Sequence, residues 1–449
     1  MKTQEKFIKT VCLLAVPVAL QSMLQSSFSI VDQIMIGQLG SVSVAGVGLA
    51  GKFSSIYSVL VSAVAAVAGI MISQYMGQKN KPEIRRSFYL NLWLALGIAG
   101  IFTFFCFLFP GTIMRIYSKD AKTVLAAADY LRIIAGTFLP MAGASLLAAM
   151  FRCIEKAQYP LYASIASAIL NTVLNYVLIF GKCGFAPMGA NGAAIATVIA
   201  QIANFLLMLV MILPFRGHFS RSSGNVRLPH FHWAQYLSMI LPILICELAW
   251  SLGENVYAAI YGHIGTEASA AMTLTNPVQG LLIGALCGLS QAAGVIIGKK
   301  LGSGDHEDAY QASKKLILYG FIGSLLLSLV VFLTKSYYVK IYQVEASVKL
   351  LTCQILTAYA LVAPFKVLNM ILGGGIIRSG GKTKYVMIID IIGTWGFGVP
   401  LGLLSAFVLK LSIPYVYFIL SLEEVIRFAI GMVVFKRKRW MRSLKAEEF

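Results

Sequence analysis

The stretch from Pro17 to Gly40, PVALQSMLQSSFSIVDQIMIGQLG, is apolar enough to cross a bilayer yet holds one carboxylate, Asp32, about five residues from its outer end. An ionised side chain at that depth costs about 3 kcal/mol or more unless it meets a partner or a wet cavity, so it marks a functional position. The stretch is used twice. An offset of 225 residues gives PILICELAWSLGENVYAAIYGHIG, in which Pro242 answers Pro17, Gly262 answers Gly37 and Gly265 answers Gly40, but Tyr257 answers Asp32. The scaffold is repeated and the charge is not.

The rest of the chain has the same character. Of 449 residues 58% are apolar and 12% charged, far from soluble averages, so the chain reads as an all-α polytopic membrane protein. With about 20 apolar residues needed per crossing, twelve spans fall at 11–36, 44–72, 87–108, 123–150, 160–180, 189–213, 234–261, 270–296, 313–333, 350–377, 385–408 and 413–435.

A net charge of +19 raises the question of nucleic acid, and the placement of the bases answers it. With the N-terminus in the cytoplasm, 25 Lys and Arg fall in inside segments and 8 in outside loops, while Lys52, Arg132, Lys366 and Arg427 fall within spans. That is the positive-inside bias, which places both termini in the cytoplasm of a multi-pass plasma-membrane protein. The basic tail Lys436-Arg437-Lys438-Arg439 then serves as an anchor near anionic lipid, and no nucleic-acid partner is expected.

The repeat extends past the first span. The turn ISQYMGQKNKPEIRRSF after span 2 matches IIGKKLGSGDHEDAYQAS at the same offset, with Gly302 for Gly77 and Asp305 for Asn80. Spans 4 and 5 match spans 10 and 11 less cleanly, with Pro364 near Pro140, Arg378 near Arg152 and Lys382 near Lys156. Six spans per copy is an even number, so both lobes enter the membrane in the same sense, as parallel repeats do. The expected organisation is a six-helix lobe over 1–213, a cytoplasmic linker over 214–233, and a second six-helix lobe with its tail over 234–449. His230 and His232 in the linker have no Cys or carboxylate neighbours, and a solvated linker explains them better than a metal pair. The seven cysteines show no metal-ligand or redox spacing and read as small apolar side chains. The first apolar run is too long for a cleavable signal and reads as a permanent span.

Depth, at about 1.5 Å per helical residue, brings polar groups of the first lobe to one level. Asn171 and Asn175 in span 5 share a helix face, and Thr197 in span 6 lies at a depth similar to Asp32. Together they offer a carboxylate, amide oxygens and a hydroxyl, a set suited to sodium, while a proton needs the carboxylate alone. Helix-to-helix bonding explains the amides and hydroxyl equally well. In the second lobe Glu247 and Glu254, seven residues apart, face one side of span 7 with Trp250 between them, an arrangement of acids and aromatic that suits a lipophilic cation. Packing against lipid explains Trp250 as well. Asp390 in span 11 is either functional or paired with Lys384 or Arg378. Glu423 and Arg427 have the spacing of an ion pair, as do Asp129 and Arg132. Lys52 and Lys366 are intramembrane cations to which the sequence assigns no partner.

Enzymatic readings find no HExxH and no phosphate-loop lysine. Residues 302–305 spell GxGD, as in intramembrane aspartyl proteases, but in a charged turn without a second aspartate in an apolar span.

The segments VDQIMIGQLG, ISQYMGQKN, NTVLNYVLIFG, GANGAAIATVIAQ, CELAWSLGENVYAAIYGHIGTEASAA and IIRSGGKTKYVMIID followed by WGFGVPLG, in this order, resemble the multidrug and toxic compound extrusion (MATE) transporters of the multidrug, oligosaccharidyl-lipid and polysaccharide exporter superfamily. The resemblance spans almost the whole chain. It implies two six-helix lobes that alternate access, exporting amphipathic cations against inward proton or sodium flow. It also implies a cation site whose aspartate matches Asp32 and whose span-5 pair matches Asn171 and Asn175, and a span-7 glutamate that maps to Glu247, with Glu254 as rival. Depth adds Thr197 to the cation-coupling set, and Trp250, Tyr257 and Asp390 join the span-7 acids as candidates for substrate binding or coupling in the second lobe. Asn175 stands where some branches have aspartate, which leaves the choice of ion open. The expected partners are small organic cations and membrane lipids, for a monomer without a cofactor or a metal beyond a transported sodium. A flippase for lipid-linked oligosaccharide or peptidoglycan precursor is the alternative within the superfamily, and an intramembrane hydrolase the alternative from another class.

Overall fold

In the computed structural model, which describes residues 2–218, 233–342 and 344–444, long apolar runs become long helices. Lipid offers the backbone no hydrogen bonds, so a spanning segment must satisfy its amides internally. Eleven helices among the described residues are long and apolar enough to cross a membrane. They are α1 Glu5–Gly37, α2 Val42–Gly77, α3 Lys81–Leu108, α4 Ala121–Cys153, α5 Gln158–Phe180, α6 Gly189–Phe215, α7 Trp233–Ile264, α8 Thr266–Gly302, α9 His306–Lys340, α10 Ala346–Ile377 and α11 Thr383–Val408. The expected twelfth span is in two pieces, Ile413–Ser421 and Glu423–Lys436, interrupted at Leu422 and together designated α12. No strand occurs among the described residues. His230, His232 and most of the linker lie outside the described residues.

The sequence repeat is visible in the backbone. Gly40 between α1 and α2, and Gly265 between α7 and α8, both have positive φ (90° and 153°), a region that side chains disfavour. Lys79 and Gly304, also 225 apart, share the left-handed conformation at φ 56° and 81°. The next residues, Asn80 and Asp305, cap α3 and α9 by accepting from the amides of Glu83 (3.2 Å) and Asp308 (3.1 Å), again equivalent positions. Pro17 and Pro242 each sit inside their helices.

Two compact units emerge, one of Leu20–Ile72 with Asn80–Pro229, the other of Met1–Ala19, Ser73–Lys79 and His230–Phe449. We call them the N-unit and the C-unit. Within the N-unit, Gly192 opens α6 against α5. A Cβ there would come to 2.8 Å of the Leu178 carbonyl, so the glycine sets how closely these two helices approach.

Within the C-unit the ends of α2 and α8 cross without side chains between them. Gly77 lies on the carbonyl of Lys299 and Gly302 on that of Gln74, and a Cβ on either would strike the oxygen. The 225-residue offset exchanges these two contacts. The chain after α12 packs onto this crossing. Trp440 is fully buried and its carbonyl seats on Gly380. Buried Gln74 donates to the carbonyls of Ser379 (2.6 Å) and Arg442 (3.2 Å) and accepts from the amide of Leu444 (2.6 Å). Gln78 donates to the Leu444 carbonyl at 2.8 Å.

Three stretches of α10 and α11 are wound as π-helix: Met370–Ile377, Ile392–Gly398 and Leu404–Val408. The first two carry the glycines of ILGGGII and IGTWGFG. Such winding frequently accompanies function in helical proteins.

Candidate functional site

In the N-unit the four residues singled out from the sequence come together. The Asp32 carboxylate accepts from Asn175 Nδ2 at 2.6 Å, and Asn175 Nδ2 also donates to Asn171 Oδ1 at 3.2 Å. Asn171 Nδ2 in turn donates to Thr197 Oγ1 at 3.3 Å, and that hydroxyl donates to the Ala193 carbonyl one turn back. The chain of bonds runs α1 to α5 to α6, joined by the close approach at Gly192. Asn175 is buried, and its Oδ1 has no hydrogen-bond partner among the described residues. A buried acceptor without a partner costs about 1–3 kcal/mol. The site therefore holds an oxygen with capacity to spare beside a carboxylate. Sequence reasoning missed Tyr130, a buried phenol of α4 within electrostatic range of Asp32. Only folding brings α4 to α1, and no local pattern marks it.

In the C-unit the acids sort into two groups. Glu247 pairs with Arg378 at 3.5 Å. Asp390 is gripped by Arg427, which also meets Glu424 Oε2 at 3.4 Å, and Asp390 accepts from the Cys246 thiol at 2.7 Å. Asp390 thus takes its cation from α12, not from Lys384 or Arg378. Likewise Arg427 takes Glu424, three residues back, in place of Glu423. Trp250 is exposed on its helix and the Trp395 indole donates to the Ala249 carbonyl beside it.

The second group lines a cavity of about 260 Å³ within the C-unit. Glu254 and Tyr257 of α7, Lys366 of α10, and Glu423 and Glu424 of α12 face it. Tyr257 donates to Glu423 Oε2 at 2.7 Å, so the residue standing where Asp32 does in the first repeat serves a carboxylate instead of being one. Glu247, paired with Arg378, and the exposed Trp250 are not among the lining residues. Lys366 has three carboxylates around the same cavity, which explains a cation within a span. Lys52 is exposed on α2, and Arg132 bonds the Phe107 carbonyl at 3.3 Å and stacks on that ring, with Asp129 exposed. Among the described residues no cluster of His, Cys, Asp and Glu could hold a metal ion on its own.

A repeated twelve-span helical scaffold, with an acid set among helix-borne oxygens in one unit and an acid-lined cavity in the other, defines a multi-pass membrane transporter. The MatE family profile matches residues 17–177 and 242–404, the two repeats, and the chain belongs to that family of MATE transporters. It is 22% identical over 427 residues to the probable multidrug resistance protein NorM of Thermotoga maritima, covering 95% of this chain and 92% of that one. Its fold superposes on a variant of the Vibrio cholerae MATE transporter VcmN with a TM-score of 0.88 at 16% identity, covering 97% and 98% of the two chains. An outward-facing multidrug resistance MATE transporter of the MOP superfamily gives 0.86 at 18% identity over 96% of each.

Proposed function

We propose that the protein is a cation-coupled antiporter of the plasma membrane, both termini cytoplasmic, which exports amphipathic organic cations by alternating access. The observation that carries this reading is the Asp32 cluster, an ionisable group in a span whose only direct partner among the described residues is a neutral amide. Without a fixed base, the carboxylate is neutralised by a mobile cation. A proton on Asp32 supplies an O–H that the spare carbonyl oxygen of Asn175 accepts once that amide turns. Sodium instead draws on the carboxylate, the amide oxygens and the Thr197 hydroxyl, all hard oxygen ligands. Either event exchanges a charge for a neutral cluster and reorders the bonds joining α1, α5 and α6. The two access states then differ in cation affinity, and the exported molecule shifts the same equilibrium in the opposite sense.

The names of the relatives support multidrug export, and the C-unit cavity carries three glutamates against one lysine. A diphosphate-carrying lipid would be repelled by that balance, which disfavours the flippase reading. The test is efflux from proteoliposomes under separately imposed proton and sodium gradients. Wild-type protein should respond to one of them, and Asp32→Asn should bind the exported compound yet lose gradient-driven efflux. Coupled transport at the wild-type rate in Asp32→Asn would refute the mechanism.

A further inference from the structure

The C-unit cavity has an acid and a base left over. Of its three carboxylates, Glu424 is engaged by Arg427 at 3.4 Å and by Asn369 Nδ2 at 2.8 Å, and Glu423 by the Tyr257 hydroxyl. Glu254 and Lys366 line the same cavity, and neither makes a hydrogen bond or ion pair with any described residue. Two opposite charges that share a cavity of about 260 Å³ without meeting leave their partners to be supplied from outside. An ammonium alone would satisfy Glu254 and face repulsion from Lys366. An anion alone would satisfy Lys366 and face Glu254 and Glu423. A molecule carrying both charges satisfies both ends.

The remaining lining suits the body of such a molecule. Tyr261, Tyr359 and Tyr417 add aromatic residues to the lining, and Asn276 and Gln279 add amides. The volume falls below the usual range of about 300–1,000 Å³ for drug-sized ligands, and so fits a compound of amino-acid size.

We propose that the C-unit cavity is a binding site for a small zwitterion, its ammonium held by Glu254 at the Glu423 side and its acid group by Lys366, with the tyrosines packing its apolar part. This extends the export reading, which requires only a cation, by assigning an acid group to the ligand and an anchor for it. Lys366 is the specificity-determining residue, because it penalises molecules that carry the positive charge alone.

Three probes of one skeleton separate the charges: L-phenylalanine, phenethylamine without the carboxylate, and 3-phenylpropionate without the ammonium. Binding to the purified full-length chain in detergent, with no ion gradient, is measured by calorimetry or radioligand displacement, so failure of coupling at Asp32 and failure of this site are read apart. The wild type should bind phenylalanine about tenfold more tightly than either analogue, one charge-assisted contact being worth at least that factor. Lys366→Met should bring phenylalanine down to the phenethylamine level without weakening phenethylamine. Glu254→Gln should weaken both. Where Lys366→Met does not elute as a monodisperse species, the ranking of the three probes on wild type and the retention of that ranking in Lys366→Arg decide. Absence of saturable phenylalanine binding to wild type, or phenethylamine binding as tightly as phenylalanine, overturns the proposal.

Discussion

Replacing Gln74 by alanine should release the chain after α12. Gln74 is buried at the crossing of α2 and α8, and its amide makes three hydrogen bonds to the Ser379 carbonyl, the Arg442 carbonyl and the Leu444 amide. Two of these hold the tail directly. The truncation removes them and leaves a carbonyl and a buried amide without partners, at about 1.5 kcal/mol each, so the docked tail loses about 3 kcal/mol. That raises the undocked population about a hundred-fold, since 1.4 kcal/mol is a factor of ten. Trypsin reads this population, because Arg437, Lys438, Arg439 and Arg442 are exposed sites in the segment and cleavage beside them needs the backbone released from its docked hydrogen bonds. When docking is fast relative to cleavage, the cleavage rate follows the open fraction. Native-state proteolysis followed by intact-mass spectrometry should therefore show cleavage in Gln74→Ala accelerated by about two orders of magnitude relative to wild type. A change of less than about threefold would mean that the Trp440 anchor alone holds the tail and that the hydrogen bonds contribute little.

At the same crossing, Gly302→Ala pushes a methyl group into the Gln74 carbonyl and should cost about 1–3 kcal/mol, seen as a lower melting temperature in fluorescence-detected size exclusion, whereas Gly100→Ala in α3, where a Cβ meets nothing, should leave it unchanged. Arg427→Met strips Asp390 and Glu424 of their shared guanidinium in a mostly buried position, and about 3–5 kcal/mol of destabilisation is expected. The unfolding half-life in detergent should shorten at least tenfold and recover in part when Asp390→Asn is added; a variant as long-lived as wild type would show the pair to be idle. At the start of α4, Asp120 caps the helix, and the Thr123 hydroxyl and then the Thr123 amide hold its carboxyl below the usual range. A folded value below the unfolded one means the cap contributes at and above the ordinary carboxylate pKa and fades as pH falls through the lowered value. Exchange protection of the Thr123 amide, corrected for intrinsic rate, should hold from pH 7 down to the ordinary aspartate pKa of about 3.9 and fade only below it; loss near pH 6 would contradict the assignment.

The spans, their repeat and the points that punctuate it were legible in the sequence, because each follows a local rule. Apolar runs in lipid must be helical, Gly40 and Gly265 mark turns with positive φ, and Asn80 and Asp305 stand where a helix needs a cap. The Asp32 cluster was legible for a related reason. Asn171 and Asn175 share a face of one helix, Thr197 follows on the next, and a short turn holds the two at matching depth. Only the tertiary structure decided which charges meet. Glu247 finds Arg378, Asp390 finds Arg427 and Tyr257 finds Glu423 across separations of 37 to 166 residues. Spacing alone pointed to Glu423 for Arg427, and the fold chose Glu424. Helices that are apolar on nearly every side carry little pattern to show how each is rotated about its axis. That rotation is set by packing at close contacts such as Gly77 on Lys299, and it determines whether an acid faces a base, a cavity or lipid.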